Sequence, residues 1–332
     1  MMTPLSRTTR EMKISNVVLV TNALKSLGSA TKSELAEETG LSIATCGTVL
    51  NELRLRREVL TLELEVSRVG RPAQRYAYNP DYLSVLSLYA QGSDKAAQII
   101  WSVNSATSGC LAQGDVHFLP LTLDTFYLRI ASLLEEYPRI KALGIGLPGV
   151  VVNGTVATCD ISAFAGVALE QQLQEQFGVY AQVDNDMNYT AYGFYRSSCS
   201  GVTAPVAYIF KPDVPCLGCG MVINGQILHG ASQFAGEVSN LPFKDMDKLP
   251  VVDEMAKVIV SLAAIINPAT IALSGPKISE TLLPQLLERC HQYIPTQHMP
   301  MLIYRPSMRQ DYLQGITELT LNNYNHHVAF GV

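Results

Sequence analysis

Two groups of side chains in this 332-residue chain have types and spacing suited to chemistry. The first is short and polar. Thr45, Gly47, Thr48 and Asn51 fall on one side of a helical pattern, while Cys46, Val49, Leu50 and Leu53 fall on the other. Short polar side chains with little bulk let a helix backbone approach base edges in a major groove. Shortly after, Arg68-Val-Gly-Arg71-Pro places two guanidinium groups around a glycine tip, a shape that reaches phosphates or a minor groove. The second group is acidic. It comprises Val183-Asp-Asn-Asp186-Met-Asn188 and, further on, Ala235-Gly-Glu237. A carboxylate and an amide at a strand end suit bidentate hydrogen bonds to vicinal hydroxyls. The plain alternative is that Asp184 and Asp186 only cap the helix that follows.

The elements that must hold the first group are legible. Ile14, Val17, Val18, Leu24 and Leu27 predict a helix over 13–27, stopped by Gly28 and Ser29. Thr31-Lys-Ser-Glu34 is a capping box opening a second helix from Lys32 to about Thr39. Gly40 supplies the left-handed residue that ends it, and Ser42 caps a third helix from Ile43 to about Arg56. Val59 to Val66 and Gln74 to Tyr78 read as the two strands of a wing, with the arginine-flanked glycine at its tip. Asn79-Pro80 reads as a linker. Together these predict a winged helix-turn-helix over residues 1–80, with Ser42 joining the DNA-facing set.

Charge agrees with that division. Residues 1–80 carry a net +3 and residues 81–332 a net −8, within a total of −5. A basic head on an acidic body fits a small DNA-binding module carried by a part that does not touch DNA. Apolar residues make up 48% and charged residues 16%, which excludes a disordered chain. The first residues lack an apolar core and do not read as a signal peptide. The apolar stretch from Val251 to Ser274 is broken by Asp253, Glu254, Lys257 and Asn267-Pro268, and reads as a buried helix then a buried strand rather than a membrane span. Seven scattered cysteines suit a reducing compartment, and the expected location is cytoplasmic.

Behind residue 80, strands alternate with helices, as in α/β layers. Ala142-Leu-Gly-Ile-Gly-Leu-Pro-Gly149 reads as a buried strand ending in a tight loop. Here the chain resembles the ROK family (repressors, open reading frames and sugar kinases), in its xylose- and N-acetylglucosamine-repressor-like regulator branch. The segments that carry the resemblance are Gly70-Arg-Pro-Ala73 through Asn79-Pro80, Gly144 to Gly149 with Asn153-Gly154, Val183 to Asn188, Gly220-Met-Val-Ile-Asn-Gly225 with Gly230 and Ala235-Gly-Glu237, and Ile271-Ala-Leu-Ser-Gly275. The resemblance implies a two-lobed actin-like (ribonuclease H-like) sugar kinase fold, with lobes over 81–197 and 198–332 and a helix from about Asp311 to Tyr324 returning to the first lobe. It also implies a sugar in the cleft, held by Gly149, Asp160, Asn185, Asp186 and Glu237. Asp186 takes the place of the family's catalytic base, and Asp160 the place of a sugar-binding Asn.

Three departures qualify the chemistry. Where the family has its first phosphate loop, this chain reads Gln91-Gly-Ser-Asp-Lys-Ala96, with one glycine. The second has become Val214-Pro-Cys216, where proline removes an amide donor and valine blocks close approach, and Lys211-Pro-Asp213 adds bulk just before it. Where the family carries a zinc-binding His there is Asn240, followed by no cysteine cluster; Cys216-x-x-Cys219 lies upstream, with His229 nearby and no second ligand pair. The expectation is a regulator that is not an enzyme and holds no metal, with vestigial Asp186. Its expected partners are a double-stranded operator, a sugar or sugar derivative, and a second copy of itself, as a homodimer or dimer of dimers. The rivals are an ATP-dependent sugar kinase with an appended head, and a protein-responsive scaffold with no small ligand.

Overall fold

The structure, a computed structural model, describes residues 9–62, 73–199 and 203–330. The chain opens with α1 (Thr9–Leu27), β1 (Ala30–Thr31), α2 (Lys32–Thr39), α3 (Ile43–Leu55), β2 (Val59–Thr61) and β3 (Arg75–Tyr78). The caps form as their sequence requires. Thr31 Oγ1 accepts from Glu34 N while Glu34 Oε2 accepts from Thr31 N, and Ser42 Oγ accepts from Thr45 N at 3.0 Å. Gly40 ends α2 at φ +70°. Each cap is worth about 1 kcal/mol. The three helices pack around Leu24, Leu35, Leu50 and Leu53, all fully buried. β1, β3 and β2 form a small antiparallel sheet beside them. α1 starts earlier than its apolar pattern predicted. The described part of β2 ends at Thr61, so the tip of the expected wing, with Arg68 and Arg71, lies outside the described residues.

Next come β4 (Ser84–Ser93), β5 (Ala96–Ser105), β6 (Cys110–Phe118), α4 (Leu123–Glu136), β7 (Ile140–Leu147), β8 (Gly149–Val152), β9 (Thr155–Cys159), α5 (Leu169–Phe177), β10 (Tyr180–Asn185) and α6 (Asp186–Ser198). Their sheet runs β10-β7-β4-β5-β6, with β7 parallel to both neighbours. A central parallel strand is covered on both faces, which is why β7 is buried at every residue but Lys141. Phe126, Ile130 and Leu133 of α4, with Leu169 and Leu173 of α5, cover one face.

The remainder is β11 (Val206–Phe210), β12 (Gly218–Ile223), β13 (Gln226–Ile227), α7 (Val251–Ile265), β14 (Thr270–Ser274), α8 (Leu283–His291), β15 (Met301–Tyr304) and α9 (Arg309–Phe330). They form a second mixed sheet, β13-β12-β11-β14-β15. The apolar stretch 251–274 is the expected helix and strand, and among the described residues no helix is long and apolar enough to cross a membrane.

α9 leaves this second sheet and lies on the first. A Cβ on Gly144 of β7 would sit 2.3 Å from Thr320 Oγ1, and one on Gly146 would sit 2.2 Å from the Tyr312 hydroxyl, so the bare strand admits the helix. The head is not hung on a loose tether. Leu24, Leu50 and Tyr78 share one continuous buried cluster with Leu83, Val85, Ala142 and Leu321.

Candidate functional site

A cavity of about 680 Å³ opens between the two large sheets. Its walls are the start of β8, the end of β10, the first turn of α6, β12, the loop to Glu237, the start of α9 and the β4–β5 hairpin. Gly149, Asp160, Asn185, Asp186 and Glu237 all line it. These residues, spread over almost ninety positions of sequence, are brought to one space of a size suited to a small polar molecule.

Asp186 is the first residue of α6. Burial raises its carboxyl, the backbone N–H of Met187 opposes this, and the carboxylates of Asp160 and Glu237 push it further, to about 7. Near neutrality it is therefore divided between a form that only accepts hydrogen bonds and one that can donate. Glu237 is half-buried, and Asp160 is exposed at the rim.

Asn185 differs from expectation. Its Oδ1 caps α6, accepting from Met187 N at 2.7 Å and Asn188 N at 3.3 Å, and its Nδ2 donates to the Gly149 carbonyl at 2.7 Å. With both acceptor lone pairs engaged, one N–H remains for a ligand, and the residue's main work is to pin the α6 start against β8. The capping role that was the alternative for Asp184 and Asp186 thus belongs largely to the residue between them. Asp184 turns elsewhere: its Oδ1 accepts from Asn188 Nδ2 at 2.8 Å, and its Oδ2 meets His229 Nε2 at 3.1 Å.

The place of the first phosphate loop is a tight hairpin. β4 and β5 stay in register to Ser93 and Ala96, and the turn's Asp94 Oδ1 accepts from Ser162 N at 2.6 Å. In the second, Val214 and Cys216 are exposed on the cavity wall. Lys211 does not add bulk there. It is buried, with Nζ 3.0 Å from Glu254 Oε1 on α7 and donating to the Cys216 carbonyl. A charge inside a core needs a partner, and Glu254 draws it inward. Cys219 is buried in the second sheet's core while Cys216 is exposed. Among the described residues no group of three or more His, Cys, Asp or Glu could hold a metal.

On the head, Thr48 and Asn51 are exposed on α3, and Thr45 is half-exposed with its hydroxyl 2.8 Å from Ser42 Oγ. Thr48 Oγ1 donates to the Ala44 carbonyl at 3.1 Å. Gly47 is not outward. It is buried beneath Lys32 of α2, whose Nζ would lie 3.5 Å from a Cβ placed there, so the absent side chain makes room for the lysine stem. Sequence reasoning passed over Ile43, which is 56% exposed at the start of α3 beside Ala44. An apolar group on this face suits a thymine methyl. Its type alone suggested core, so only its exposure reveals it.

Residues 120–249 match the ROK family profile. The chain carries a ROK family domain. Its sequence is 23% identical over 240 residues to the "Xylose repressor" of Bacillus spizizenii, covering 69% of this chain and 60% of that one. The chain spans about 60% of the length of the curated relatives it matches. In shape it is similar to the crystal structure of a "ROK family transcriptional regulator, homolog of E.coli MLC protein", with a TM-score of 0.75 and 15% identity over 97% of this chain and all of that one. It is also similar to the ROK hexokinase of Thermus thermophilus, with a TM-score of 0.58 and 17% identity over 73% of this chain and all of that one. The body thus has the ROK actin-like sugar kinase fold, and the first of these likenesses extends through the head. Of the five cavity residues, Gly149 opens β8, Asn185 ends β10, Asp186 opens α6, and Asp160 and Glu237 lie on the connections after β9 and β13.

Proposed function

We propose that this chain is a DNA-binding transcription regulator, a repressor of carbohydrate genes, whose ROK domain senses a sugar or sugar derivative. The observation that carries this reading is the exposed Thr48–Asn51 face of a well-capped α3 on a head packed continuously against a body with a polar cavity. Residues 1–80 are the DNA-binding unit, 81–197 the first lobe, and 198–332 the second lobe with its returning helix. Ser42, Thr45, Thr48 and Asn51 face base edges, and Arg68 and Arg71 reach the backbone or minor groove. Asp160, Asp186 and Glu237 take the hydroxyls of the sugar, with Asn185 and Gly149 shaping the wall. The partners are a double-stranded operator with two-fold symmetry and a second copy of the chain, in the cytoplasm where the chromosome is. The relatives named xylose repressor support the same reading.

The chain acts without metal and without phosphoryl transfer. The tight hairpin at Ser93–Ala96 and the proline at 215, which lacks an amide donor, support this reading. One observation favours a kinase: Asp186, raised to about 7, is poised to take a hydroxyl proton. A thermal-shift screen against pentoses, hexoses, amino sugars and magnesium-ATP tests the reading. A shift with one sugar class and none with magnesium-ATP supports it; a shift with magnesium-ATP and phosphorylation of a sugar would replace it.

A further inference from the structure

Asp184 and Asp186 stand two residues apart and border different spaces. Asp186 faces the sugar cavity. Asp184 borders a second groove of about 1050 Å³, where the head meets the body. That groove is walled by α1 and α2 of the head, by α6 and α9, and by the hairpin that runs from Gly225 to His229. His229 belongs to the second sheet's side of the molecule and Asp184 to the first sheet, so their 3.1 Å contact ties one lobe to the other at the head. Asp184 is 8% exposed and His229 half-buried, so breaking the tie strips a buried carboxylate of one of its partners.

The same short run connects this tie to the sugar cavity. Asp184 Oδ1 accepts from the backbone N–H of Asn185 at 2.7 Å, and Asn185 caps the helix that Asp186 begins. A ligand that pulls on Asp186 or closes the lobes works directly on the segment His229 holds. A ligand alters the head only through different affinity for two arrangements, so some element must differ between them.

Resting on the function proposed above, we propose that His229 is a positioning residue for the sugar response: its tie to Asp184 sets the lobe arrangement on which the head is seated, and an occupied cavity changes the head by altering that tie. His229 does not line the sugar cavity, so its role is in coupling rather than in binding. The hydrogen bond that His229 donates to the Asp184 carboxylate raises the imidazole above its ordinary value, with burial opposing and the carboxylate's charge adding. The tie is therefore strongest when His229 is protonated and weakens as pH rises through that raised value. The other charged groups on the groove are Lys25, Glu38, Arg196, Glu318 and His326. Arg196 is paired with Glu318 at 3.3 Å, and burial holds Lys25 down at about 8.

The experiment uses the full-length protein, a DNA fragment from upstream of its own gene, and D-xylose, D-glucose and N-acetyl-D-glucosamine as probes. Sugar binding is read by calorimetry. Coupling is read as the ratio of DNA affinities with and without the sugar that binds best. In His229→Ala, sugar binding should stay within about threefold of wild type while a coupling ratio of at least about fivefold falls towards one. His229→Gln, which keeps a neutral donor, should retain coupling and lose its pH dependence. An unchanged ratio in His229→Ala overturns the proposal. If His229→Ala does not fold, the Gln variant decides, since a wild-type pH profile in it also overturns the proposal. Were no sugar to alter DNA binding by the wild type, the underlying functional reading would fall and this inference with it; a wild-type response untouched by either variant removes the inference alone.

Discussion

Gly193 of α6 and Gly315 of α9 meet where the two helices cross, and neither position has room for a methyl group. A Cβ on Gly193 would lie 1.8 Å from the Asp311 carbonyl oxygen, and one on Gly315 would lie 1.8 Å from that of Tyr189. Both helices begin at the cavity between the two large sheets and run on to the groove beneath the head. Their backbones touch on the way. Gly193→Ala or Gly315→Ala forces the helices apart and should cost about 3 kcal/mol, the upper range for overpacking. Urea unfolding of each variant measures it, and a loss below about 1 kcal/mol would show that the crossing yields easily.

Asp186 gives the fold a pH dependence with a definite sign. Its carboxyl is raised from 3.8 to about 7 in the folded protein. Between those values the folded state holds a proton that the unfolded state has released, so this group's contribution to stability is greatest at low pH, declines as pH rises towards 7, and is flat above. Asp186→Asn removes the charge that burial opposes. Melting temperatures of the two proteins should be similar in acid, and the variant should be the more stable above neutrality. Parallel curves at all pH values would place the carboxyl in water.

Lys211 and Glu254 form an ion pair whose side chains are each 6% exposed. Replacing Lys211 with Met leaves Glu254 buried without its partner, at a cost of about 3–5 kcal/mol, whereas Lys211→Met with Glu254→Leu should recover most of it. Chemical denaturation of the two variants reads the difference. If the double variant is no better than the single, the pair is not what holds the loop inward.

Much of this architecture could be read from residue types alone, because the signals were local. The Thr31–Glu34 box, the left-handed Gly40 and the Ser42 cap each act within a few residues, and each forms as written. The five cavity residues were placed by resemblance and do share one space. What escaped depends on distant partners. Gly47 looked outward on a helical wheel, but Lys32 from the preceding helix covers it. Asn185 looked like a ligand contact, but Gly149 and two backbone amides engage it first. Lys211 looked like loop bulk until Glu254, forty-three positions on, drew it inward. Nothing in the sequence joins His229 to Asp184.

The corrected position of Gly47 separates packing from reading. A Cβ there meets Lys32 only at ordinary contact distance. Gly47→Ala should therefore leave DNA affinity unchanged and stabilise α3 by up to about 1 kcal/mol. Asn51→Ala or Thr48→Ala, on the exposed face, should leave stability unchanged and cost about 1–3 kcal/mol of specific DNA binding each. Equal losses on specific and random DNA would mean that these residues do not read bases.

On the function proposed above, one chain binds DNA and lets a sugar alter that binding. The most direct test is fluorescence anisotropy of the full-length protein on DNA from upstream of its own gene, with and without the sugar selected by thermal shift. The expected result is salt-dependent binding of that DNA and a change in affinity of about fivefold or more on adding the sugar. Binding that the sugar leaves untouched, or no preference for that DNA over random sequence, would contradict it.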